Sequence, residues 1–104
     1  MACQDVILAQ AICRVHLSQR ETIPGTAAWL AEVDVVDLDR HLLRPIVLPT
    51  GRRVAFPGDT EALALNAAVT FLAEEFGGFA EPPHGCVEWE PLRAGPAHVI
   101  ASHR

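Results

Sequence analysis

Two glutamates and a histidine in the last fifth of the sequence carry a spacing that could do acid and base chemistry. Cys86 to Pro91 and Ala97 to His103 read as two strands, and Leu92 to Pro96, with Gly95 inside it, reads as the reversal between them. Strand alternation sends His84, Cys86, Glu88 and Glu90 to one side. A turn centred on Ala94 then sets Glu90 opposite His98, with Ile100 and Ser102 alongside. A carboxylate beside an imidazole holds the ring in one tautomer and suits it to act as a general base or acid. Glu88, Glu90 and His98 are therefore the candidate catalytic residues. The plainer account of the same pattern is a solvated sheet face with an incidental cross-strand ion pair.

Three further groups of residues could bind. Arg40, Arg44, Arg52 and Arg53 put four guanidinium groups in fourteen residues, and their fork geometry suits a carboxylate or phosphate. Charge that keeps an edge strand from pairing with strangers explains them equally. Arg52 and Arg53, with Trp29 as a possible pocket wall, are the candidate binding residues. Asp34, Asp37, Asp39 and His41 offer oxygens and one imidazole to a divalent cation, but the spacing matches no metal motif and an exposed acidic turn accounts for it. Cys3, Cys13 and Cys86 are odd in number and lack the paired spacing of a zinc or redox site, so free thiols in a reducing compartment are expected. The sequence thus points to no metal and no cofactor.

Composition narrows the functions further. All eight basic residues are Arg, against thirteen Asp plus Glu, and the formal net charge is −5. Without Lys there is no Schiff base and no phosphate-loop lysine, and without excess positive charge there is no means to neutralise a nucleic-acid backbone. Tyr is also absent. The apolar share of 50% is high for a chain of 104 residues, which suggests that part of it lies in a subunit interface. No apolar run approaches the ~20 residues of a membrane span, and no basic stretch followed by an apolar one opens the sequence. A soluble, cytoplasmic protein is the expectation.

The elements that must position these residues are uneven in clarity. Asp59 to Phe76 is the best defined: Asp59 serves as N-cap, Glu61 complements the helix dipole, Gly77 ends the helix, and Leu65, Val69, Leu72 and Phe76 form one stripe. Ile7, Leu8, Ala11, Ile12 and Val15 follow helical spacing, so Cys3 to about Arg20 reads as an N-terminal helix. A strand over Ala11–Leu17, with Cys13, Val15 and Leu17 alternating against Arg14, His16 and Ser18, competes with it. Pro24 and Gly25 mark a turn. Trp29 to Asp39 reads as a strand, with a helix opening near Thr26 as the alternative. Arg44 to Phe56 reads as a hairpin around Pro49, Thr50 and Gly51.

The sum is one α+β domain over residues 1–104: an antiparallel sheet of about four to five strands, with an N-terminal helix and one long central helix packed on one face. Val87, Trp89, Val99 and Ala101 are the expected surface beneath the long helix. Two functions fit. One is a binding module that forms a homodimer and presents a groove between helix and sheet to a small apolar ligand or a protein partner, with no nucleic acid and no membrane. The other is a small lyase, isomerase or hydrolase that uses Glu88 or Glu90 with His98 and needs no cofactor.

Overall fold

A computed structural model describes residues 2–23, 26–78, 84–85 and 92–100. Its order is β1 (Ala2–Ile7), β2 (Ile12–Ile23), β3 (Thr26–Asp37), β4 (Leu42–Val47), β5 (Ala55–Gly58), α1 (Glu61–Glu75), β6 (His84–Gly85), β7 (Arg93–Ala94) and β8 (His98–Val99). The sheet runs β6-β1-β2-β3-β4-β7, with β5 added to β3 and β8 to β4. No helix among the described residues is long and apolar enough to cross a membrane.

The expected N-terminal helix does not form, and among the described residues a single helix packs on a sheet larger than expected. Its place is taken by β1 and β2, which pair antiparallel from Ala2↔Leu17 to Ile7↔Ile12. The alternation of Cys13, Val15 and Leu17 prevails over the helical spacing, because each of these finds an apolar partner across β3: Val35, Val33 and Ala31. Strand preference follows such packing more than intrinsic tendency. The segment from Trp29 is a strand as far as Asp37, as its Val-rich half suggested, and belongs to the longer β3, while Leu38 and Asp39 lie in the turn that follows.

β3 is the centre of the sheet. Along one edge it pairs with β2 over nearly its whole length. Along the other edge its second half pairs with β4, from Asp34↔Pro45 to Asp37↔Leu42, and its first half with β5, from Trp29↔Gly58 to Glu32↔Ala55. The expected hairpin about Pro49–Gly51 is therefore real only at its tip. Leu48 N donates to Arg52 O at 2.8 Å, Val54 N donates to Ile46 O at 3.0 Å, and Val47 bridges Arg53. Beyond Val54 the second arm leaves β4 and adds to β3 instead.

The helix keeps its sequence signature with one correction. Thr60, not Asp59, is the N-cap, its Oγ1 accepting from Leu63 N at 3.2 Å, while Glu61 sits in the first turn. At the other end Gly77 takes a φ of +87° and Gly78 N donates to Ala73 O at 2.7 Å, the reach-back that closes a helix C-terminus. The same end is latched to the β1–β2 turn, where Gln10 N donates to Phe76 O and Ala9 N to Gly78 O. Ala64, Ala68, Val69, Leu72 and Phe76 bury one stripe against Val6, Cys13, Val15, Leu17, Ala31 and Val33. The small residues bring helix and sheet close. A Cβ on Gly58 would lie 2.5 Å from Ala64 N, so only glycine fits there.

The C-terminal segment also differs from expectation. β7 and β8 both run parallel to β4, with Leu42↔Arg93, Leu43↔Ala94, Ile46↔His98 and Val47↔Val99. Residues 93–99 travel in one direction, so the reversal centred on Ala94 is absent. Gly95 passes under Leu42, whose Cβ would be 2.9 Å from any side chain added there. The surface beneath α1 is made by β2, β3 and β5. Of the four residues expected there, Val87, Trp89 and Ala101 lie outside the described residues, and Val99 is an exposed edge position.

The thiols are not all free. Cys3 is disulfide-bonded, and Cys13 is a free, buried thiol.

Candidate functional site

Alternation along β1, β2 and β3 decides what the helix-free side of the sheet displays. Cys13, Val15 and Leu17 turn toward α1, so Arg14 and His16 turn away from it. On β3 the same parity places Glu32 and Asp34 on the helix-free side. The register lines up Asp5, Arg14 and Asp34 across three strands, and Cys3, His16 and Glu32 in the next row.

Asp34 is the hub of this group. Its Oδ2 lies 2.6 Å from His16 Nε2, and its Oδ1 accepts from an Arg53 NH2 group at 2.6 Å. Arg53 reaches it from the tip of the β4–β5 hairpin and also approaches Glu32, with Nε 3.3 Å from Oε2. That last contact is an ion pair without hydrogen-bond geometry, since Arg53 Nε satisfies no acceptor. Two strands over, Asp5 receives both arms of the Arg14 fork, from Nε at 2.9 Å and Nη2 at 3.3 Å.

Both carboxylates are withdrawn from water, Asp5 completely and Asp34 to 3% exposure, while His16 and Arg53 keep part of their side chains in solvent. Burying a carboxylate is tolerable only with such partners. Chemically, Asp34 fixes the His16 ring by one nitrogen and leaves the other nitrogen to exchange a proton.

Cys13, on the opposite face, contributes no reactive thiolate. Burial, reinforced by the Asp34 carboxylate, pushes its thiol up to about 12.

Concavities lie on the surface of the described residues near the network. The first, about 370 Å³, opens where the β1–β2 and β3–β4 turns meet, with walls of Leu8, Ala11, Ile12, Val35, Val36 and Leu38 and a polar rim of Gln10, Asp37, Asp39 and Arg44. Arg44 is held at that rim by the C-terminal segment, its Nε donating to Pro96 O at 3.0 Å. The second, about 310 Å³, lies along the β4–β5 hairpin against Arg52, Arg53 and Val54. Neither is lined by His16 or Asp34.

The residues singled out in the sequence are scattered. His98, on β8, is half-buried with its ring 5.5 Å from Phe76, while Glu88 and Glu90 lie outside the described residues. His98 pairs with Ile46 of β4, and the expected pairing of Glu90 with His98 lies outside the described residues. Trp29 faces the helix side of β3 and packs on the core, on the far side of the sheet from Arg53. Arg52 is exposed on the hairpin tip. The acidic group divides: Asp34 enters the network, Asp37 Oδ1 accepts from Arg40 N at 3.2 Å, and Asp39 and His41 are exposed on the turn, His41 with a φ of +56°. Among the described residues no three His, Cys, Asp or Glu side chains are grouped to hold a metal ion.

His16, Asp5 and Arg14 were not candidates from the sequence. The signal that could have found them is Arg14 and His16 on one strand of a hairpin and Glu32 and Asp34 on the other, basic against acidic at the same period of two.

Comparison with family models, with curated proteins and with solved structures finds no match.

Proposed function

We propose that this protein is a small binding module that works as a homodimer and holds a small apolar ligand at the end of its sheet. The observation that carries the reading is the cleft of about 370 Å³, whose size, apolar walls and charged rim suit a small molecule with an apolar body. The groove between helix and sheet is not available, because Ala64, Ala68 and Leu72 fill it.

The dimer reading rests on the helix-free face. Ile7, Ile12, Leu30 and Leu43 are half-buried there around the Asp34 network, and a second copy of the same face would cover them. A protein partner of similar apolar character would serve equally. The compartment reading changes: a disulfide at Cys3 favours an oxidising environment over the cytoplasm.

The test is a methyl NMR titration with an apolar aromatic probe such as naphthol, beside sedimentation of the free protein. Shifts confined to Leu8, Val35, Val36 and Leu38, lost in Ile12→Asp, support the site. Absence of any shift at millimolar probe sinks it, and a monomer at 100 µM sinks the dimer.

The His16–Asp34 contact at 2.6 Å favours a second reading, a cofactor-independent lyase, isomerase or hydrolase with His16 as base. It ranks lower because neither cleft described above brings a substrate to the ring.

A further inference from the structure

We infer that the cleft between the β1–β2 and β3–β4 turns takes a free apolar amino acid as its zwitterion, with Asp37 and Asp39 receiving the ammonium group and Arg44 the carboxylate. This rests on the cleft reading proposed above and goes further, to the class of ligand.

The charges on the rim single out that class. Arg44 lies opposite Val35 and Asp37 opposite Leu42, so the two are diagonal neighbours on one side of the sheet. Such neighbours stand roughly 7–8 Å apart, a gap that long side chains can close. Arg44 turns instead to neutral backbone oxygens, its Nε donating to Pro96 O at 3.0 Å and its Nη2 to Ala97 O at 3.4 Å. Those contacts fix the guanidinium without cancelling its charge and leave it further N–H groups to donate. Asp37 Oδ1 accepts from Arg40 N, and among the described residues neither Asp37 nor Asp39 forms an ion pair. Opposite charges therefore share the rim of one apolar cleft without neutralising each other.

Each simpler ligand leaves part of this rim unmatched. An apolar anion meets two carboxylates against one guanidinium. An apolar amine leaves Arg44 uncompensated, and a neutral molecule takes water from all three charges without replacing it. An α-amino acid carries an ammonium and a carboxylate on one carbon, beside a side chain that can enter the cleft. A volume of about 370 Å³ has room for one the size of phenylalanine.

The test is methyl NMR titration of the full chain with four probes: L-phenylalanine, phenethylamine, which lacks the carboxylate, hydrocinnamate, which lacks the amine, and naphthol. L-Phenylalanine should bind roughly fivefold more tightly than phenethylamine or hydrocinnamate, the gain expected from one partly exposed ion pair. Added salt should weaken its binding and leave that of naphthol unchanged. In Asp37→Asn/Asp39→Asn the preference over hydrocinnamate should vanish, while an amide at position 37 still accepts from Arg40 N and keeps the turn. In Arg44→Gln the preference over phenethylamine should vanish. Shifts with naphthol and none with L-phenylalanine would overturn the inference and leave the cleft reading standing. Equal affinity for the three charged probes, or a preference that survives in both variants, would overturn it as well. No shift with naphthol sinks the cleft reading, and this inference with it.

Discussion

The two faces of this sheet are stabilised by different physics. On the helix side, Val15, Leu17, Ala31 and Val33 meet Ala64, Ala68 and Leu72, and what holds them is removal of apolar surface from water. On the other side, Asp5, Arg14, His16, Asp34 and Arg53 are tied by directed contacts of 2.6–3.3 Å. Apolar contact is tolerant of position. Sliding β2 by two residues along β3 would still set small apolar side chains against one another on the helix side. The same slip would pull Arg14 and His16 away from Asp34 and strand a buried carboxylate. The covered face therefore makes the sheet and helix adhere, and the polar face selects the register.

Three measurements can break or sharpen that contrast. The largest effect is expected from Leu72→Ala, which empties a fully buried site beneath the helix and should cost about 4 kcal/mol in urea unfolding, with little dependence on salt. A loss below about 1 kcal/mol would mean that the helix is not the main cover. Asp34→Ala should cost about 3 kcal/mol, because it leaves His16 and Arg53 without their shared acceptor. Combined with Arg53→Ala it should be strongly non-additive; simple additivity would show that the two do not act as a unit.

The third measurement concerns Cys13, which ties the faces together through Asp34. Its folded thiol, pushed up to about 12 by burial and by Asp34, lies above its ordinary value of 9.0, so the native state holds this proton more tightly than the unfolded chain. The stabilisation is complete below pH 9 and is lost as pH rises toward 12, by about 3 kcal/mol at pH 11. A chain with neither Lys nor Tyr has little else titrating in this range. Denaturant midpoints of wild type and Cys13→Val across pH 8–11 should diverge with that sign. Parallel curves would place the thiol in contact with water.

What was legible in the sequence was local. The helix announced itself because cap, stripe and terminating Gly77 all lie within twenty residues, and only the cap moved, from Asp59 to Thr60. The β2 strand was obscured because Ile7, Leu8, Ala11, Ile12 and Val15 satisfy a helical period by coincidence; the decisive partners, Val33 and Val35, sit on another strand. The Asp34 network was hidden for the same reason. It joins residues from β2, β3 and the hairpin tip, and its members meet only once two registers are set. The parallel pairing of residues 93–99 with β4 leaves no turn signal nearby, so Gly95 and Pro96 imitated a hairpin tip.

The position of β3 has a consequence for the order of assembly. It joins β2 through a short connection and is followed at once by β4 and β5, so the middle of the sheet consists of neighbours in sequence. The outermost pairings, Gln4 with Gly85 and Ile46 with His98, are distant ones. Contacts of long separation form late. During synthesis from the N-terminus, β1 through β5 can therefore be paired while β6, β7 and β8 have yet to emerge. Until they arrive, the outer strands β1 and β4 stand open to any other chain nearby, and the strands that protect them are made later.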